Sequence, residues 1–273
     1  MKRVAVTGSS GFIGQHVSPF LKKRGYVVYP LRIDLGNKEA AIAQIKTIKP
    51  DALLHLAWET TPGVYWHAPS NLDWLKSSLD LIEAFVLEGG KRVVIAGSCA
   101  ELIPYTLYGA CKESLRLCAE NFLLRQNVSF AWGRIFSPYG PHEKGERLIP
   151  SLIQKLIEGE PFHCTAQEHI RDFLFVEDVA EAFVTLLDSM VVGTVDIGSG
   201  KGMRVGDLVS QIARRLQAEE QITFATANVS ADNHSALIAD NKRLAEEVGF
   251  HPQYTLQEGV EKTITWWQNE IYH

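Results

Sequence analysis

The chain has 273 residues, with 27 lysines and arginines against 32 aspartates and glutamates, and 46% of its residues are apolar. This composition and its formal charge of −5 are typical of a globular protein, exclude a disordered chain and argue against a duplex nucleic-acid binder. No apolar run reaches the ~18 residues of a membrane span, and Met1-Lys2-Arg3 leads directly into a strand pattern rather than a signal peptide. We therefore expect a cytoplasmic protein that binds neither nucleic acid nor membranes.

The first half of the chain alternates strand and helix patterns. Short apolar runs predict strands, and apolar residues spaced by three or four positions predict the helices between them. The predicted strands are residues 3–6, 26–29, 52–57, 93–96 and 128–132. Strands that alternate with helices in this way predict an α/β fold with a doubly wound parallel sheet.

A glycine-rich turn joins the first predicted strand to the first helix. In the segment Thr7–Gly14, Gly8 permits a tight turn, Gly11 lets a pyrophosphate approach the backbone, and Gly14 allows the helix to pack closely on the strand. The free N–H groups at the start of the helix suit an anion. A purely structural turn is the alternative. The candidate dinucleotide-binding residues are Gly8, Ser10, Gly11, Phe12, Ile13 and Gly14.

The end of the second strand bears on which dinucleotide binds. An acidic residue there selects the free 2′-hydroxyl of NAD, whereas an arginine accommodates the 2′-phosphate of NADP. Arg32 is the candidate phosphate clamp, and Asp34 lies slightly beyond the strand end where the acidic residue of an NAD site is expected. We therefore favour NADP(H) over NAD(H). In the alternative interpretation, Arg32 is a solvated residue at a strand end.

A phenol and an ammonium share one face of the helix predicted over 106–125. Tyr108 and Lys112 are four residues apart, and a nearby cation is expected to lower the pKa of a phenol toward the working pH of a proton donor. Ser98 follows the fourth predicted strand and offers a hydroxyl that would orient a carbonyl group. Each of these residues alone is common on protein surfaces.

Together these residues resemble the extended short-chain dehydrogenase/reductase family, the group of nucleotide-sugar epimerases, dehydratases and reductases. The resemblance covers nearly the whole chain. Besides the glycine turn and the Tyr108/Lys112 pair, it rests on residues 55–57, 133–141, 171–179, 196–200 and 240–252.

The resemblance implies a role for each site residue. Ser98, Tyr108 and Lys112 would be the catalytic set, with Tyr108 as the acid/base and Lys112 also holding the nicotinamide ribose. Asp34 and Leu35 would lie by the adenine, and Arg171 would bind the diphosphate of a sugar nucleotide. The implied cofactor contacts also include Leu56 and Ala57, and the implied substrate contacts are Arg134, Ser137, Arg147 and Arg171. No metal site is expected.

The family also implies a Rossmann core and a smaller C-terminal substrate-binding region. We place the NAD(P)-binding core in residues 1–165, and returning core elements with a small substrate-binding lobe in 166–273, the two being interleaved. The helices predicted over 72–86 and 106–125 carry more apolar surface than one sheet face needs. In the family this helix pair forms a dimer interface, so we predict a homodimer.

Three features depart from the family pattern. Only ten positions separate Ser98 from Tyr108, which would leave the site open unless residues are missing from the sequence. Ser137 stands where the family has asparagine. Ser98-Cys99-Ala100 lacks the acidic pair of sugar 4,6-dehydratases, so dehydratase chemistry is disfavoured.

The leading hypothesis is an NADPH-dependent reductase of a nucleotide-activated keto-sugar, specifically an NDP-4-keto-6-deoxyhexose. A nucleotide-sugar 4-epimerase that retains NAD is the first alternative. A non-catalytic dinucleotide-binding regulator is the second.

Overall fold

A computed structural model describes residues 2–32, 38–103, 105–225 and 236–272. Up to residue 135, strands and helices alternate in the predicted order. These elements are β1 (Lys2–Thr7), α1 (Gly14–Lys23), β2 (Tyr26–Leu31), α2 (Lys38–Ile48), β3 (Ala52–His55), α3 (Ser70–Leu87), β4 (Arg92–Ser98), α4 (Leu107–Arg125) and β5 (Ser129–Ile135). A 3-10 turn over Cys99–Leu102 connects β4 toward α4.

The rest of the chain contains four further α-helices among the described residues, and its strands are mostly short. Its elements are β6 (Ser137–Tyr139), α5 (Leu148–Ile157), β7 (Phe162–Cys164), β8 (Ile170–Arg171), β9 (Phe173–Phe175), α6 (Val176–Asp188), β10 (Gly193–Ile197), β11 (Met203–Arg204), α7 (Val205–Leu216), β12 (Ile222–Phe224), β13 (Ala236–Leu237) and α8 (Leu256–Tyr272). Among the described residues, no helix is long and apolar enough to cross a membrane.

The chain divides into two compact units. The first unit comprises Met1–Ile135, Val179–Ile197 and Asn241–His251, and the second comprises Phe136–Asp178, Gly198–Asp240 and Pro252–His273. The domain limits of 1–165 and 166–273 stay a prediction.

The first unit contains a six-stranded sheet in the order β10-β5-β4-β3-β1-β2, in which every neighbouring pair is parallel. The predicted α/β fold with a parallel central sheet is therefore confirmed. Continuous apolar runs form its inner strands because helices cover both faces of such a sheet, and all four residues of β3 are buried. The strand order reverses between β1 and β3, and ligands of open α/β sheets bind beyond the carboxyl ends of strands at such a switch point.

Each unit has its own apolar core. The core of the first unit packs Leu53, Phe85 and Trp132 among residues of the sheet and of α2, α3 and α4. The core of the second unit gathers Tyr139 and Phe175 with the apolar faces of α5, α7 and α8.

A buried aspartate organises the second unit. The carboxylate of Asp172 accepts hydrogen bonds from the backbone N–H groups of Ser199 (2.7 Å), Gly200 (2.8 Å) and Ala239 (3.1 Å). It thereby fixes the turn that precedes β11, a two-residue strand that pairs with β8.

Candidate active site

The glycine turn after β1 is built as its spacing predicts. Gly8 has a φ of 68°, and the N–H of Gly11 donates to the Gly8 carbonyl at 2.9 Å. A Cβ atom on Gly14 would lie 1.9 Å from the Gly8 oxygen, and one on Gly8 would lie 2.8 Å from the nitrogen of Ala57. Side chains at Gly8 and Gly14 would therefore displace backbone, so both positions require glycine.

The turn leads directly into the N-terminus of α1. Ile13 occupies the N-cap position, and within the described part of the chain no side chain caps this end of the helix. Ser10 and Gly11 are exposed, and Phe12 and Ile13 are half-buried. Exposed backbone beside the positive end of a helix dipole suits a pyrophosphate, so these residues fit a dinucleotide cofactor.

A buried hydrogen-bond chain links β1 to β3 and α3. The Ser78 hydroxyl donates to the Trp74 carbonyl at 2.7 Å, which leaves its oxygen to accept from Nε2 of His55 at 2.9 Å. Nδ1 of His55 then accepts from the Thr7 hydroxyl at 2.7 Å. Burial lowers the pKa of His55 to about 3, with a smaller contribution from Lys112, so the imidazole stays neutral.

The same threonine holds the turn that follows β3. The N–H groups of Leu56 and Ala57 donate to the Thr7 hydroxyl oxygen at 3.1 and 3.2 Å. Leu56 and Ala57 thus lie against Gly8, and the structure brings together these three predicted cofactor residues.

Arg32 directly follows β2 and its side chain is exposed. A guanidinium in this position is accessible to an anionic ligand. The predicted adenine contacts Asp34 and Leu35 lie outside the described residues.

Ser98, Tyr108 and Lys112 meet beyond the end of β4. Ser98 is the last residue of β4, and the Thr106 hydroxyl caps α4 by accepting from the N–H of Gly109 at 3.0 Å. Tyr108 is therefore in the first turn of α4 and Lys112 in the second. A hydrogen bond joins the side chains of Ser98 and Tyr108.

The Lys112 ammonium is fully buried. Its Nζ donates to the Ala96 carbonyl at 2.8 Å and lies 4.1 Å from the centre of the Trp58 ring. Burial lowers the pKa of Lys112 to about 7, and the negative charge of Glu101 opposes this change.

The pKa of Tyr108 differs from the sequence expectation. We expected Lys112 to lower it, but burial raises the pKa well above its ordinary value, and the hydrogen bond with Ser98 offsets this only in part. The expectation is wrong for this structure because removing the phenolate from water is the largest effect, and the charges of Glu101 and Cys99 raise the pKa further. Tyr108 therefore keeps its proton at neutral pH.

Aromatic side chains from the loop after β3 surround Tyr108. The ring centres of Tyr65, Trp66 and Trp58 lie 4.9, 5.9 and 6.2 Å from that of Tyr108, all with edge-to-face geometry. The N–H of Tyr108 donates to the Trp66 carbonyl at 3.0 Å. Tyr108 is only 6% exposed, so the short connection from Ser98 does not leave it open as expected. Trp66 is 40% exposed and is the most accessible of these four rings.

The sequence interpretation overlooked Glu101. Ser98 and Glu101 form a capping box in which the Glu101 carboxylate accepts from the Ser98 N–H at 2.6 Å. The spacing S-x-x-E is the sequence signal of this motif and was available. The Glu101 side chain is 1% exposed, so it does not provide the accessible acid that a dehydratase would need.

The predicted substrate residues occur in both units. In the first unit, Arg134 donates to Glu101 at 3.2 Å and to Asp196 at 3.1 Å. In the second unit, Ser137 begins β6, Arg147 precedes α5, and Arg171 donates to the Ile170 carbonyl at 2.8 Å. Their roles toward a substrate stay predictions.

Metal-binding and redox features are sparse in the described parts of the chain. No group of three histidine, cysteine, aspartate or glutamate side chains there is arranged to hold a metal ion. All four cysteines are described and none forms a disulfide.

Comparison with known proteins identifies the family. A model described as the NAD dependent epimerase/dehydratase family matches residues 4–198. The GDP-6-deoxy-D-mannose reductase of Pseudomonas aeruginosa is 23% identical over 99% of this chain and 98% of its own length.

Solved structures share the fold over the full length. The UDP-glucose 4-epimerase of Thermotoga maritima with UDP-glucose has a TM-score of 0.88 and 20% identity, covering 98% of this chain and 99% of that one. The UDP-glucose 4-epimerase of Thermus thermophilus with NAD has a TM-score of 0.85 and 22% identity, covering 97% and 99%. The family match spans well over half of the sequence and confirms the resemblance, so the chain belongs to the NAD dependent epimerase/dehydratase family.

Proposed function

We propose that the protein is an NADPH-dependent reductase of a nucleotide-activated keto-sugar, with an NDP-4-keto-6-deoxyhexose as its substrate. Members of this family are NAD(P)-dependent enzymes that act on nucleotide sugars. The observation that carries the proposal is that Ser98, Tyr108 and Lys112 meet beyond the end of β4, where the Tyr108 phenol is buried and hydrogen-bonded to Ser98. Reduction of a carbonyl requires such a proton donor.

Ser98, Tyr108 and Lys112 carry out the protonation of the carbonyl oxygen. The Ser98 hydroxyl orients the carbonyl oxygen, and the Tyr108 phenol donates its proton to that oxygen as the carbonyl carbon gains a hydride. The product is a secondary alcohol, and the resulting phenolate is stabilised by the Lys112 ammonium until solvent returns the proton. When bound, NADPH supplies the hydride.

The cofactor is assigned to the glycine turn and its neighbours. The backbone from Gly8 to Gly14 would hold the pyrophosphate, with Leu56 and Ala57 beside it and Lys112 on the nicotinamide ribose. The exposed guanidinium of Arg32 supports NADPH over NADH because it offers paired donors to a 2′-phosphate.

The choice of a keto-deoxyhexose rests on the whole-length similarity to a relative named as a GDP-6-deoxy-D-mannose reductase. Substrate contacts are assigned to Arg134, Ser137, Arg147 and Arg171, with Arg171 on the diphosphate. Guanidinium groups match the paired oxygens of such a ligand.

The direct test is NADPH consumption with GDP-, dTDP-, CDP- and UDP-linked 4-keto-6-deoxyhexoses. We expect the absorbance of NADPH to fall with at least one of them. No loss with any member of the panel would refute the reductase. Purified protein that carries non-exchanging NAD and interconverts 4-epimers would establish the epimerase instead.

A homodimer is proposed through α3 and α4, which pack against each other in the first unit. Leu117 and Leu124 are seven residues apart on one face of α4 and are 47% and 73% exposed. Light scattering at micromolar concentration should give the mass of two chains, and a monomer mass would contradict the proposal.

A further inference from the structure

In its hydrogen bonds with the described residues, the Glu101 carboxylate is always the acceptor. One oxygen accepts from the Ser98 N–H at 2.6 Å and from the Trp132 indole at 3.1 Å. The other accepts from the same indole at 3.0 Å and from Nε of Arg134 at 3.2 Å. Burial raises the pKa of Glu101, and the Ser98 N–H, Arg134, the Trp132 indole and Lys112 all act in the opposite direction. A protonated carboxyl group would need an acceptor for its own proton, so these donors favour the anion.

The Glu101 carboxylate belongs to a partly buried cluster of alternating charge. Arg134 lies between Glu101 and Asp196, and Lys112 is the second cation near Glu101. Arg134 retains Asp196 as a partner if Glu101 is neutralised. Lys112 makes no ion pair with a described residue, and its Nζ contacts the Ala96 carbonyl and the Trp58 ring. The Glu101 carboxylate lies against the next residue of β4, since a Cβ on Gly97 would come within 2.7 Å of its Oε1, and its charge raises the pKa of Lys112.

Glu101 also fixes the backbone at the catalytic serine. The capping box orients the first residues of the 3-10 turn, because the Ser98 hydroxyl accepts from the N–H of Ala100 at 3.2 Å while Glu101 holds the Ser98 N–H. The side chain thus acts on both sides of Tyr108, through Ser98 and through Lys112. It has no exposed oxygen with which to reach a substrate.

We propose that Glu101 is a positioning residue of the catalytic centre, whose carboxylate holds Ser98 in place and sets a negative charge near the Lys112 ammonium. This role deepens the proposed function and rests on it for its catalytic consequence. The other titratable groups that face Glu101 and Lys112 are His55 on β3, Tyr108 and Arg116 on α4, Arg134 on β5, and Asp196 beyond Arg134 on β10. His55 is neutral and adds no charge. Glu101 is the carboxylate whose charge raises the pKa of Lys112.

The test compares Glu101→Gln with Trp132→Phe. The first variant keeps an oxygen to accept from Ser98 but removes the charge, whereas the second removes a donor to the same carboxylate and leaves the charge. Lys112 is titrated in the free protein by NMR of lysine labelled at Cε, with Lys112→Met identifying its resonance. In Glu101→Gln, we expect the midpoint of the Lys112 titration to fall by about one pH unit or more. In Trp132→Phe, it should stay near the wild-type midpoint. Equal shifts in the two variants, or none in Glu101→Gln, would overturn the proposal.

If Glu101→Gln does not fold, Arg134→Met provides the opposite test. Removing the cation that compensates Glu101 should raise the midpoint of the Lys112 titration, and an unchanged midpoint would overturn the proposal.

A turnover assay measures the catalytic consequence. In Glu101→Gln, kcat should fall and the alkaline limb of its pH profile should move to lower pH, with little change in KM. The titration needs no substrate, so a protein that turns over no keto-sugar but shows the Lys112 shift separates failure of the proposed function from failure of the Glu101 role.

Discussion

The Gly8–Gly14 turn and the Ser98–Lys112 cluster both follow strands of the same parallel sheet, but they use different parts of the chain. The turn is made of consecutive backbone groups, and its glycines are required because a Cβ would strike backbone. The cluster is made of side chains from β4, the 3-10 turn, α4, β5 and the loop after β3. One binding surface therefore depends on the absence of side chains, and the other depends on their burial and charge.

The largest expected effect is that of Tyr108→Phe on turnover, with no accompanying change in dinucleotide affinity. Tyr108→Phe should lower turnover by about 10²- to 10⁴-fold because the proton donor is lost, while dinucleotide affinity stays unchanged. Steady-state rates and NADPH fluorescence titration measure the two quantities. Tyr105→Phe is the matched control, since this nearby phenol is 80% exposed, and it should behave as wild type. Normal turnover in Tyr108→Phe would remove Tyr108 from the mechanism.

A substitution in the glycine turn should weaken dinucleotide binding and stability, and should leave the proton donor in place. Gly14→Ala places a Cβ 1.9 Å from the Gly8 oxygen, and we expect a loss of about 1–3 kcal/mol in the free energy of unfolding and at least about tenfold weaker dinucleotide binding. Urea unfolding and fluorescence titration measure these changes. Gly25→Ala is the control, because Gly25 has a φ of 79° but open space around it, so it should cost about 1 kcal/mol and leave binding intact. Equal losses of binding would show that the turn is not the site.

The His55 network links the turn to the sheet, and acid should weaken it. The folded-state pKa of about 3 lies below the ordinary value of 6.5, so the unfolded chain binds more protons between these values and stability is lost as pH falls through this window. Between about pH 7 and about pH 5, wild type should lose about 2 kcal/mol more than His55→Gln. Urea unfolding at both pH values checks this, and parallel pH dependences in the two proteins would contradict it.

The smallest expected effect concerns cofactor choice. Arg32→Ala should weaken NADPH binding by about tenfold and leave NADH binding nearly unchanged, because only NADPH carries the 2′-phosphate. Dissociation constants for both dinucleotides measure the selectivity. An equal change for both would assign Arg32 no role in discrimination.

The two regions also differ in how far their structure can be predicted from the sequence. Local periodicity and short spacings, which act over a few residues, predict the parallel sheet, the glycine turn and the Tyr108/Lys112 pair. The family resemblance adds Ser98 to this pair as a catalytic set. Glu101 carried a readable S-x-x-E signal, but its contacts with Trp132 and Arg134 depend on the neighbouring strand β5.

Two further features had no local signal. The Tyr65 and Trp66 side chains come from a loop without periodic pattern, and their position over Tyr108 is set by Asn71, whose amide donates to the Tyr65 carbonyl at 2.7 Å. The pKa of Tyr108 depends on its burial beneath these rings, and burial is a property of the folded chain. Spacing thus predicted which groups meet, whereas their protonation required the structure.

The most direct test of the proposed carbonyl reduction follows the transferred hydride. Wild-type protein is incubated with NADPH deuterated at the transferable C4 position and each nucleotide-linked 4-keto-6-deoxyhexose, and the product is analysed by NMR and mass spectrometry. We expect one deuterium on the carbon that carried the carbonyl, with stoichiometric formation of NADP⁺, and no labelled product from Tyr108→Phe. A sugar product without deuterium, or none from any of these substrates, would contradict the proposed reduction.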